Sequence, residues 1–110
     1  MQNYKDLKVW EKAHLFTLKV YEFTKVFPKE EMYSLINQIG RSASSIPANI
    51  AEGCGKNSNK DFANFLNISL GPANESEYFL ILSKDLLYLK EENYITLYNL
   101  INEIKSMLIT

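Results

Sequence analysis

The sequence predicts an all-α protein, a single domain over residues 1–110 folded as an antiparallel up-down-up-down four-helix bundle. Three observations predict it. Apolar residues recur at alternating steps of three and four along four stretches, which places them on one side of a helix packed in a bundle. The connections are short, roughly two to eight residues, so consecutive helices are antiparallel neighbours. The 110 residues include only four glycines and three prolines, a poor supply of turns for a loop-rich β fold.

The first helix carries Val9, Ala13, Phe16, Val20, Phe23 and Phe27 on its seam. It stops at Phe27, because Pro28 disfavours the α conformation in the residue before it. The second opens with Glu30 and Glu31, acidic residues suited to the positive helix N-terminus, and continues through Met32, Ile36, Ile39, Ala43, Ile46 and Ile50. Gly53-Cys54-Gly55 reads as its stop and turn. Ser58, with Asp61 three residues on, is the expected N-cap of the third helix, with Asn57 as the rival. That helix has Phe62, Leu66, Ser69, Ala73, Ser76, Leu80, Ser83 and Leu87 on its seam, and the four small residues there imply close approach to a neighbour. Glu91 and Glu92 open the fourth helix, whose seam is Tyr94, Leu97, Ile101, Ile104 and Leu108. Pro47 and Pro72 fall inside the second and third helices, where a proline costs about 3 kcal/mol. Both seams keep phase through them, which favours kinks over breaks.

Composition excludes several classes of function. Formal net charge is -1 and the sequence pI is near 5.8, so no strong field draws in nucleic acid or anionic lipid. One cysteine rules out an internal disulfide and fits a reducing cytoplasm. No apolar run is long enough to span a membrane, and the polar start Met1-Gln2-Asn3-Tyr4-Lys5 does not read as a signal peptide.

Two helices have more non-solvent-like surface than a bundle needs. On the first, Leu7, Trp10, His14, Leu18 and Tyr21 form a second line roughly 140° from the seam. A stripe with the only tryptophan has an interface composition, and Leu7, Trp10, Leu18 and Tyr21 are the expected subunit contact, left in water by an isolated bundle. The plainer reading is apolar residues wrapping the bundle edge. On the second helix, Gln38, Arg41, Ser45, Asn49 and Glu52 make a polar line unlike an ordinary lysine and glutamate face. Arginine suits a desolvated carboxylate, and Glu75 is the first-choice partner, with Glu52 the other candidate. This line reads either as a polar network at an interface or as an ion pair that sets helix register.

Chemistry is sparse. Glu11-x-x-His14 has the spacing of a di-iron ligand pair, but such a site needs two pairs and two more carboxylates, and the chain has one histidine. No metal and no cofactor are expected. Cys54 has no histidine near it in sequence and reads as an ordinary turn cysteine. The Gly53 to Ser58 turn lacks phosphate-loop spacing, although Lys56 and Lys60 beside a helix start can hold an anion weakly. Residues 1–29 contain six lysines against Asp6, Glu11 and Glu22, whereas residues 73–103 contain six acids against Lys84 and Lys90. Lys5, Lys8, Lys12 and Lys19 are therefore the candidate nucleic-acid contacts, with a solvated lysine face as the plain alternative.

The segments Gln38-Ile39-Gly40-Arg41-Ser42-Ala43 and Ser45-Ile46-Pro47-Ala48-Asn49-Ile50-Ala51-Glu52-Gly53 closely resemble a bacterial four-helix-bundle family that includes the 23S ribosomal RNA intervening-sequence proteins, once grouped as S23 ribosomal proteins. Tyr4, Leu7, Val9-Trp10, Ala13 and Tyr21 resemble its first helix, and Phe27-Pro28 with Glu31 and Leu35 the turn that follows. Phe62, Phe65-Leu66 and Glu75 resemble its third. The resemblance implies a left-handed bundle assembled as a homopentamer with a central channel, and no enzyme activity. Genes of the family occur inside ribosomal RNA intervening sequences and elsewhere. A related branch, the accessory variability determinants of diversity-generating retroelements, binds nucleic acid through a basic surface. The acidic pI departs from that branch, and Pro72 stands where the family commonly has serine.

Overall fold

The computed structural model describes residues 3–109 and places α-helix at Lys8–Phe23 (α1), Asn37–Cys54 (α2), Asn59–Ile68 (α3), Leu70–Asp85 (α4) and Glu91–Ile109 (α5). Met1 and Gln2 of the polar start, and Thr110, lie outside the described residues. α3 and α4 together make the third rod, divided at Ser69, so the four expected rods are present and no strand occurs among the described residues. α1 and α4 each pack against both α2 and α5, closing the ring of an antiparallel bundle.

The seams predicted from periodicity meet at the bundle axis. Ala13, Phe16 and Val20 of α1 pack with Ile39, Ala43, Ile46 and Ile50 of α2, Ala73 and Leu80 of α4, and Leu97, Ile101, Ile104 and Leu108 of α5. Ser69, Ala73, Ser76 and Ser83 are wholly buried, as a close approach requires. Their hydroxyls are satisfied. Ser42 Oγ and Ser76 Oγ lie 2.9 Å apart between α2 and α4, while Ser69 and Ser83 donate to the Phe65 and Phe79 carbonyls one turn back. No buried side-chain nitrogen or oxygen among the described residues lacks a partner.

The helix ends follow local chemistry in part. α1 tightens into a 3₁₀ turn at Thr24–Val26, and Phe27 is extended at φ -67°, ψ 156°, as Pro28 demands. Ser58 Oγ accepts the Asp61 amide at 3.1 Å and caps α3; Asn57 does not take that role. Other expectations need correction. The entry to α2 is a 3₁₀ turn, Lys29–Glu31, and then a π turn, Met32–Ile36. The wider i→i+5 winding shifts the phase, so Leu35 is buried and Met32 is 48% exposed. The Gly53-Cys54-Gly55 stop is where expected, since α2 ends at Cys54 with Gly55 as its C-cap. Gly53 has a further role: a Cβ there would come within 2.6 Å of Phe65 Cβ, so it allows close packing of α2 on α3.

Leu87 also leaves the seam. α4 ends at Asp85, and Leu87 adopts φ 65° with 89% exposure. The Tyr88 amide donates to Ser83 O at 3.0 Å and the Leu87 amide to Lys84 O at 2.9 Å, a Schellman closure with leucine in the position glycine usually takes. Leu89 is buried in its place. This turn is tied to the α1–α2 connection. Tyr88 OH donates to Glu31 Oε2 at 3.0 Å, Ser34 Oγ donates to Glu31 Oε1 at 2.6 Å, and the Tyr88 ring lies 5.6 Å from Phe27. The Ser34 and Tyr88 hydrogen bonds hold the Glu31 carboxyl below its ordinary pKa, and the same Glu31 contact pushes the Tyr88 phenol up.

The two interior prolines behave differently. α2 runs unbroken through Pro47. At Pro72 the rod is interrupted at one residue, Ser69, which keeps an α backbone at φ -66°, ψ -17° and whose neighbouring hydrogen bonds continue, as a local distortion from the amide missing opposite Ile68 O would give.

Candidate functional site

The second stripe of α1 divides in two. Leu7 and Trp10 pack against the core and are partly buried, so the expectation that the isolated bundle leaves them in water does not hold. Trp10 stacks on His14 at 4.9 Å and meets Tyr4 edge-on at 5.1 Å, because the 3₁₀ turn Tyr4–Asp6 folds the N-terminal segment back over α1. Further along the helix, Leu18 is 55% and Tyr21 54% exposed. Leu15, which sequence reasoning missed, joins them at 43% exposure. Its signal was present: it lies three residues before Leu18, on neither predicted line. Leu15 and Leu18 border an open groove of about 310 Å³ with Glu11, Lys12 and His14.

Tyr21 reaches across to α2. Its ring lies over Gly40, where a Cβ would sit 3.3 Å from the phenol ring, so the absence of a side chain lets the ring settle on the α2 backbone. Tyr21 and Gly40 border a smaller hollow of about 170 Å³ with Thr24, Met32, Ile36 and Asn37.

The polar line flanks Gly40 on α2. Gln38, Arg41 and Ser45, with Asn37 and Ser42, line one wall of a groove of about 320 Å³, and Glu75 of α4 lines the other. The expected Arg41–Glu75 ion pair does not form within the chain, although both side chains line this groove. The ion pairs among the described residues are Lys12–Glu103 at 3.1 Å and Lys105–Glu77 at 2.8 Å. Arg41, Glu52 and Glu75 are exposed. The smaller members of the line turn inward on α2 itself: Ser45 Oγ donates to Arg41 O at 2.8 Å, and Asn49 Nδ2 to Ser45 O at 2.8 Å. The structure therefore brings Gln38, Arg41, Ser45 and Glu75 together and leaves Asn49 and Glu52 beyond the groove.

The four candidate lysines have different surroundings. Lys12 is paired with Glu103 of α5. The Lys5 Nζ lies 5.8 Å from the Tyr4 ring centroid and the Lys19 Nζ 5.9 Å from that of Phe23. Lys8 is exposed. Elsewhere, Cys54 is buried and burial pushes its thiol pKa up, away from the reactive thiolate. No group of three or more histidine, cysteine, aspartate or glutamate side chains is placed to hold a metal among the described residues. No helix among them is long and apolar enough to cross a membrane.

The comparisons with known proteins agree on one relationship. The family described as 23S rRNA-intervening sequence protein matches residues 5–110. A crystal structure of a protein of unknown function, from the S23 ribosomal protein family of Bacteroides thetaiotaomicron VPI-5482, is similar to this chain at 36% sequence identity and a TM-score of 0.81. The similarity covers 92% of this chain and 94% of that one. No curated protein matches.

Proposed function

This chain belongs to the 23S rRNA-intervening sequence protein family, and on that premise we propose that it is a non-enzymatic structural or interaction module that works as a homo-oligomer in the cytoplasm. The observation that carries this reading is the surface made by Leu15, Leu18 and Tyr21 of α1 next to the groove that holds Arg41 and Glu75 without pairing them. A heterologous contact repeated around a ring covers two different patches on every subunit, here the α1 stripe and the α2–α4 groove. Arg41 then meets a carboxylate of the neighbouring copy, in a place where water is excluded and its planar fork is held. Five subunits are proposed from the family resemblance. The single cysteine supports a reducing compartment.

The nucleic-acid alternative has less behind it. Phosphate binding scales with surface cations, the net charge is -1, and of Lys5, Lys8, Lys12 and Lys19 one is paired with Glu103.

Light scattering coupled to size exclusion tests the assembly. The expected species is several times the 12.7 kDa chain mass; a stable monomer at micromolar concentration overturns the reading. Leu18→Glu is the informative variant, because Leu18 is exposed while Trp10 supports the core. It is expected to yield a folded monomer with an unchanged helical signal. Tight binding to structured RNA that falls steeply with added salt transfers the assignment to the nucleic-acid class.

A further inference from the structure

Pro47 has no amide hydrogen, so the carbonyl of Ala43 loses the donor that an α-helix supplies four residues on. The proline ring also crowds that carbonyl and turns it off the helix axis. In this bundle it does not turn toward water, because Ala43 is wholly buried against α1. The Thr17 hydroxyl of α1 stands there, its Oγ1 3.1 Å from Ala43 O and 2.9 Å from Ala13 O. The hydroxyl has one proton for two acceptors. Ala13 O already receives the Thr17 backbone amide within α1, whereas Ala43 O has lost its helical donor, so the proton gains more at Ala43.

We propose that Thr17 is the donor that replaces the missing amide of Pro47, and that this bond sets the register of α1 against α2. The pair acts as a unit: the proline opens a carbonyl at one height of α2, and α1 satisfies it only when Thr17 lies at that height. One turn further along α1, the same register lays Tyr21 over Gly40, so the lock also aligns the exposed α1 stripe with the edge of the Arg41 groove. The inference concerns the fold of the single chain and does not depend on the assembly proposed above.

A double-mutant cycle in urea tests it. Thr17→Val keeps the branched shape and removes the donor, and is expected to lower the folding equilibrium constant by roughly five- to tenfold. In a Pro47→Ala background the helix supplies its own amide to Ala43, and there Thr17→Val is expected to cost no more than about twofold. Thr17→Ser, which keeps the hydroxyl, is expected to retain most of the coupling. Equal losses from Thr17→Val in both backgrounds overturn the proposal. The carbonyl-carbon chemical shift of Ala43 decides even if Pro47→Ala does not fold. It moves upfield in Thr17→Val and stays in Thr17→Ser if the bond exists; no movement in either refutes it.

Discussion

Pro47 and Pro72 fall inside two rods of the same bundle, and the rods respond to different degrees. Around Pro47, α2 keeps buried residues on both sides, from Ile39 and Ala43 to Ile50 and Gly53, and remains one helix. Around Pro72 the rod divides at Ser69: α4 buries Ala73, Ser76, Phe79, Leu80 and Ser83, whereas α3 buries none. The local injury is the same, one missing amide and one crowded carbonyl. What differs is the surroundings. The carbonyl freed by Pro47 faces a hydroxyl from α1; the one freed by Pro72 belongs to Ile68, a residue that is 44% exposed. The effect of a proline in a helix interior therefore depends on what stands opposite the lost bond.

The largest test of this contrast compares core truncations on the two sides. Ile46→Ala, beside Pro47 and wholly buried, is expected to cost about 3 kcal/mol in urea unfolding. Leu66→Ala in α3, only partly buried, is expected to cost about 1 kcal/mol. Equal costs would show that α3 is as firmly integrated as α2.

Gly53→Ala probes how firmly α3 is pressed against α2. The new Cβ must displace Phe65, whose Cβ lies 2.6 Å from it. Overpacking costs about 2 kcal/mol where the neighbour is fixed, and alanine's helix preference returns about 1 kcal/mol, so a net loss of about 1 kcal/mol is expected. A neutral or stabilising result means that α3 moves aside.

Pro72→Ala gives Ile68 O an amide again. It is expected to gain up to about 1 kcal/mol and to slow amide hydrogen exchange across α3, with little change elsewhere. Exchange in α3 unaffected by this substitution would place the cause of the division somewhere other than the proline.

The sequence by itself determined the four rods, most of the residues that meet at the axis, the Ser58 cap and the extended Phe27. Each of these depends on interactions within about one helical turn, or on a periodicity that one face of a helix must satisfy to be buried. The family was legible for a related reason: the stretch from Gln38 to Gly53 is a contiguous and unusual string. Tertiary structure alone decided the rest. Leu7 and Trp10 joined the core because a 3₁₀ turn folds Tyr4 back onto the tryptophan. Gly53 became a packing contact because Phe65 arrives from another helix. Arg41 and Glu75 share a groove without pairing, since their separation depends on how α2 and α4 lean together. The fate of Pro47 rests on the Thr17 hydroxyl, 26 positions away in sequence from the Ala43 carbonyl it meets. Periodicity assigns a residue to a face, but it does not state which atom of another helix stands at that height, and a hydrogen bond is made or lost within an ångström of that placement.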